Sequence, residues 1–259
     1  MGWDSFSGET VTIRALSEFL KVIEGLCDKW GTEDSYFGPW FRGHADCSYS
    51  LVPGLYRGVS ADVARKDEAI LRREFRVRAL PYVDAAVGRP ETDAEWYFAM
   101  QHYGAPTRLL DWTESAIIAL YFAVRDPLPA STTHASVLVL NHRGMNEALV
   151  GKNALLRHDS DEFAKYFDHP TPVEPAAVVP GSTTRRMAAQ RGKFTIHGSD
   201  SRGLEEYASS GEYLVRVRIP EESVGLLREQ VDVAGIRETS VYPDLDGLVR
   251  ELNREIGRA

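Results

Sequence analysis

The chain has 259 residues, 43% of them hydrophobic and 26% charged, with a mean hydropathy of -0.29, a composition that excludes disordered, collagen-like and membrane-embedded classes. Against 38 Asp and Glu stand 30 Lys and Arg, and the resulting formal charge of -8 predicts no global attraction to nucleic acid or an anionic membrane, while leaving room for a local basic patch. Two cysteines outside any CxxC spacing, no apolar run in the first ten residues and no stretch of the roughly 20 apolar residues that span a bilayer predict a cytoplasmic protein with no membrane association.

Leu16, Phe19, Leu20, Ile23, Leu26, Cys27 and Trp30 recur at helical spacing and predict a first helix over about 15–30, stopped by Gly31. Trp40, Phe41 and Arg42 predict a short strand ending at Gly43. A charged helix over about 62–80 runs into Pro81, and Asp93 is placed to cap a third helix that closes at Gly104. Thr113 or Ser115 caps the next helix, so apolar from Ile117 to Val124 that it should be central. Strands are predicted near 135–140, 176–179, 193–197 and 213–219, followed by a helix from Pro220 and a closing helix capped by Asp244, with Leu245, Leu248, Leu252 and Ile256 on one face. The expected architecture is a single α+β domain over 1–259, a helical front at about 13–127 packed on a strand-rich back at about 135–259, with the Pro-rich stretch 170–180 the one candidate boundary.

Four clusters look chemical. Arg42 lies among aromatics and precedes Gly43, a residue that lets a ligand approach the backbone; the competing reading is a guanidinium reaching a surface carboxylate. Gln101-His102-Tyr103-Gly104-Ala105-Pro106-Thr107-Arg108-Leu109-Leu110-Asp111-Trp112-Thr113 crowds six polar side chains around a helix stop. Pairing of Arg108 with Asp111 and capping by the threonines would explain four of them, leaving Gln101 and His102. Arg185 to His197 concentrates basic residues, either as a phosphate or nucleic-acid face or as a solvated surface. Glu238 sits between a turn and an extended segment with no local structural duty. Metal-ligand spacings, P-loops, dinucleotide fingerprints and GxSxG are absent, so no metal is expected. A nucleophile at Cys47, Ser48 or Ser50 beside His44, and a metal nuclease on Asp46, Asp111 and Glu238, rank behind the other readings.

Phe41-Arg42-Gly43-His44 with Leu51-Val52-Pro53-Gly54-Leu55-Tyr56-Arg57, the block from Gln101 to Thr113, and Tyr242-Pro243-Asp244-Leu245-Asp246-Gly247-Leu248 together resemble the FRG domain family, named for its Phe-Arg-Gly motif. In chain order Arg42, Thr195 and Glu238 also resemble the Arg, Ser/Thr and Glu triad of ADP-ribosyltransferases. Thr195 departs from that pattern by standing in Phe-Thr-Ile-His, and Glu238 by having Ile236 where a second glutamate would stand. This second resemblance implies NAD as substrate and an ADP-ribosyltransferase-like fold. Glu238 would stabilise positive charge at the ribose, Arg42 would fork onto the dinucleotide, and Thr195 would steady the glutamate. Gly43, His44, Gln101, His102, Tyr103, Thr107 and Arg108 would line the cofactor pocket, with Tyr103, Trp112 or Tyr121 against the nicotinamide. It further implies a macromolecular target, protein or nucleic acid, and an inhibitory or activating partner, while the resemblance to FRG proteins implies a role as toxin or antiphage effector. The alternative is a non-catalytic nucleotide- or RNA-binding module that gathers Arg42, Arg108 and the 185–193 cluster and is indifferent to Glu238.

Overall fold

The computed structural model describes residues 8–32, 38–82, 90–130, 132–168, 171–181 and 185–257. The opening residues read for a leader, up to Ser7, and Pro170 of the candidate boundary lie outside them. Its strands are β1 (Thr10–Thr12), β2 (Trp40–His44), β3 (Leu109–Thr113), β4 (His134–Leu140), β5 (Leu156–Arg157), β6 (Ala176–Val179), β7 (Gly192–Ile196) and β8 (Leu214–Pro220). Its helices are α1 (Leu16–Trp30), α2 (Ala61–Arg78), α3 (Asp93–His102), α4 (Ala116–Val124), α5 (His142–Val150), α6 (Asp161–Ala164), α7 (Arg185–Ala189), α8 (Ser210–Tyr213), α9 (Glu221–Val233), α10 (Glu238–Val241) and α11 (Leu245–Glu255).

All eight strands join one mixed sheet in the order β1-β8-β4-β2-β3-β7-β6-β5, so the fold is α+β. Strands from the front and back of the chain interleave in it: β2 and β3 sit between β4 and β7, and the expected segregation into helical and strand-rich halves does not occur. The predicted helices form where amphipathic spacing and capping agree. Ser115 caps α4, Asp244 caps α11, and Gly31 closes α1 at φ 62. The cap of α3 is Thr92 rather than Asp93, in a reciprocal capping box with Glu95. Thr92→Ala is expected to cost about 1 kcal/mol, read as a lower urea midpoint at unchanged slope.

Period-two alternation divides the sheet. Phe41 pairs with Val139 and with Thr113, Thr113 with Gly192, and Asp111 with Phe194, which puts these residues on one face. That face carries two separate cores. Phe41, Val137, Val139, Val215 and Val217 pack under α1, α4 and α9, whereas Leu109, Phe194, Ile196 and Val178 pack under α3 and α6. The opposite face buries Trp40, Leu110, Trp112, Leu138 and Leu214 against Met145, Leu204 and Tyr213. The closing helix α11 forms as predicted, yet Leu245, Leu248, Leu252 and Ile256 are exposed, and Gly247 is its buried residue. Among the described residues no helix is long and apolar enough to cross a membrane.

Candidate functional site

Between the two cores lies a cleft of about 560 Å³, floored by Gly43, Asp111, Thr113 and Phe194 and walled by the end of α3, Phe122 of α4, and Arg186, Gln190 and Tyr242. It exists because β2 and β3 share a single register pair, Phe41 with Thr113, and the ladder stops there. Arg42 bridges the two strands where it stops: Nη1 donates to the Asp111 carbonyl at 2.5 Å and lies 3.9 Å from Oδ2 of the same residue. Its Nε donates to Nε2 of His44 at 3.0 Å, a bond that requires neutral His44 with its proton on Nδ1. Burial first, then Arg42 and Arg57, hold His44 well below the usual histidine range, so the acceptor survives at neutral pH. Arg42 itself stays charged, burial opposing and Asp111 supporting its proton.

A hydrogen-bonded chain fixes the carboxylate. The buried Thr107 hydroxyl donates to Oε1 of Gln101 at 2.5 Å, which aims the Gln101 amide at Oδ2 of Asp111, 2.7 Å away. Thr107 and Gln101 thus hold Asp111 from one side while Arg42 lies on the other. Across the cleft Arg186 stacks on the Tyr242 ring at 4.6 Å, Arg250 lies 4.7 Å from the same ring, and Arg125 donates to its hydroxyl at 3.1 Å. His102 titrates below its usual value through burial and then Arg186, with Asp111 opposing, so it senses both walls.

Of the residues expected to bind cofactor, Arg42, Gly43, Gln101, His102 and Tyr103 line the cleft. His44 and Thr107 stand one contact behind, against Arg42 and Gln101. Arg108 does not reach it. Its guanidinium is committed to Glu68 at 2.8 Å and to the carbonyls of His197 and Tyr166, beside a separate cavity near Tyr56. The Arg108–Asp111 pair that would have explained the block without a ligand is replaced by Arg108–Glu68. Gly43 makes room for a helix: a Cβ there would lie 2.0 Å from the Ala119 carbonyl oxygen of α4.

The Arg-Thr-Glu constellation is not gathered. Thr195 is fully buried and its hydroxyl accepts from Nε1 of Trp112 at 3.1 Å on the opposite face, while its neighbour Phe194 faces the cleft. Glu238 begins the one-turn helix α10 instead of lying in an extended segment, and it is 3% exposed. It accepts from the Tyr121 hydroxyl and from Nε of Arg250 at 2.7 Å, with Arg254 at 3.7 Å, and it is not among the lining residues. Through Arg250 it supports Tyr242, the wall opposite Arg42. Of the three rings expected to face nicotinamide, Trp112 and Tyr121 are core residues and only Tyr103, 73% exposed at the rim, offers a free face.

Residues 38–132 match the model of the FRG domain family. The chain carries an FRG domain. That FRG segment supplies Arg42, Gly43, Gln101, His102, Tyr103 and Asp111, whereas Arg186, Gln190 and Tyr242 come from beyond it and complete the cleft. No curated protein and no solved structure matches the chain. Among the described residues no group of three or more His, Cys, Asp and Glu is arranged to hold a metal ion.

Proposed function

We propose that the cleft binds a nucleotide, with NAD the first ligand to test. The observation that carries this reading is the presence in one cleft of two arginines, Arg42 where the β2–β3 ladder stops and Arg186 on the wall, with the open ring of Tyr103 at the rim. Guanidinium N–H groups bind phosphate, and an aromatic face stacks on a base. The volume, about 560 Å³, falls in the range of roughly 300–1,000 Å³ typical of small-molecule sites. A nucleotide fits this better than an RNA strand, which needs a continuous basic track that a chain of charge -8 is poorly composed to supply.

Titration calorimetry with NAD, ADP and ATP tests it. Arg42→Ala and Arg186→Ala are each expected to weaken binding about 10- to 100-fold, the worth of a charge-assisted contact, and added salt should weaken the wild type. Wild-type protein that binds none of the three, or variants that bind as tightly as wild type, would sink the reading.

ADP-ribose transfer is a second reading, and one observation favours it: Asp111 presents a carboxylate to the cleft 3.9 Å from Arg42. A carboxylate there would stabilise positive charge developing on the ribose as nicotinamide departs. The residue to substitute is then Asp111, not Glu238. Nicotinamide release from NAD, with label transfer to lysate proteins and nucleic acids, reads it directly; a folded protein that binds NAD and releases none leaves only binding.

A further inference from the structure

Among the described residues that line the cleft, Asp111 is the single carboxylate. It is an odd presence beside two arginines if the ligand is anionic throughout, because phosphate would be repelled from it. Its side chain is 59% exposed and yet held, by Gln101 on Oδ2 and by Arg42 nearby. A carboxylate that is open and pinned accepts hydrogen bonds from a neutral donor. On a nucleotide the neutral part joining base to phosphate is the sugar. The ring of Tyr103, Asp111 and Arg186 all line the one cleft, so base, sugar and phosphate each have a matching group there.

We infer that Asp111 grips the ribose hydroxyls, so that the cleft selects ribonucleotides over 2'-deoxyribonucleotides. The inference rests on the nucleotide reading above. A vicinal diol presents two O–H donors at a spacing that suits the two oxygens of one carboxylate, and each oxygen has a second lone pair, so Gln101 and a hydroxyl share Oδ2 without conflict. Gln101 and Thr107 act as positioning residues, the buried Thr107 hydroxyl deciding which way the Gln101 amide points and hence that a donor faces Asp111. A 2'-deoxy sugar keeps one hydroxyl donor and leaves the other Asp111 oxygen facing the ligand unpaired, and discrimination against a ligand lacking a hydroxyl is the stronger kind.

The experiment compares ATP with 2'-deoxy-ATP and 3'-deoxy-ATP, and NAD with ADP, on wild type and Asp111→Asn by calorimetry, with circular dichroism to verify folding. The wild type is expected to bind 2'-deoxy-ATP about 10- to 100-fold more weakly than ATP. Asp111→Asn, isosteric and partly solvated, should weaken the binding of ATP, which donates two hydroxyls, more than that of 2'-deoxy-ATP, which donates one, and so shrink the preference. Equal wild-type affinity for ATP and its deoxy analogues, or an Asp111→Asn variant that keeps the preference undiminished, overturns the inference while the nucleotide reading stands. Wild type that binds none of these compounds overturns both.

Discussion

Arg108→Met is expected to cost about 3–5 kcal/mol of stability, the range for removing one partner of a buried ion pair. Arg108 is 4% exposed and its guanidinium is fully used: Nε donates to Glu68 at 2.8 Å, Nη1 to the His197 carbonyl at 3.2 Å and Nη2 to the Tyr166 carbonyl at 2.6 Å. Methionine keeps much of the stem's packing and deletes all three. What remains is a buried Glu68 carboxylate with the Tyr97 hydroxyl as its one donor of this group, and two carbonyls without theirs. The tyrosine is itself committed, since its oxygen accepts from the Arg108 backbone N–H at 2.8 Å. The loss should therefore be larger than for an exposed pair such as Lys152–Glu162, which solvent screens. Urea unfolding of wild type, Arg108→Met, Glu68→Leu and the double variant reads the coupling. The double variant is expected to recover part of the loss, because it removes the stranded charge as well. Unchanged stability in Arg108→Met together with lost nucleotide affinity would return Arg108 to the binding residues.

That reassignment illustrates what the sequence makes legible. Helix faces show in the spacing of Phe19, Ile23 and Leu26 because one side of α1 meets solvent, and strand β8 shows in the alternation of Val215 and Val217 with Arg216 and Arg218. Strand β3 does not. Leu109, Leu110, Trp112 and Thr113 are all buried because both faces of this central strand are covered, so it has no period of two and reads as the tail of a helix stop. One-turn helices α7 and α10 are too short to carry any period, which is why Glu238 reads as extended. The block from Gln101 to Thr113 announces a site, yet which of its residues face the cleft depends on partners elsewhere. Glu68 on α2 draws Arg108 away, and the end of β2–β3 pairing gives Asp111 to Arg42. Alternation alone would have separated Thr195 from Phe194, had β7 been placed beside β3.

Gly43→Ala is expected to cost about 3 kcal/mol or more, at or beyond the upper end for overpacking, since the clash is with backbone. A Cβ at this position would lie 2.0 Å from the Ala119 carbonyl oxygen and 2.7 Å from the Ala123 nitrogen. No rotamer relieves contacts of that kind; either α4 lifts or β2 bends. Lifting is resisted by Ile118, Leu120, Tyr121 and Val124, all buried in the core that α4 shares with α1 and α9. Bending β2 would disturb its ladder with β4, whose partners run from Trp40–Leu140 to His44–Ser136, and would carry Arg42 out of the cleft. The glycine of Phe41-Arg42-Gly43 is on this argument a packing residue, and the arginine beside it is placed by the helix that the glycine admits. Gly25→Ala is the matched control: it lies inside α1 with nothing within 4 Å of the added Cβ, and alanine there should stabilise by up to about 1 kcal/mol. A Gly43→Ala protein that melts with the wild type and differs only in ligand affinity would show instead that the space at Gly43 belongs to the ligand.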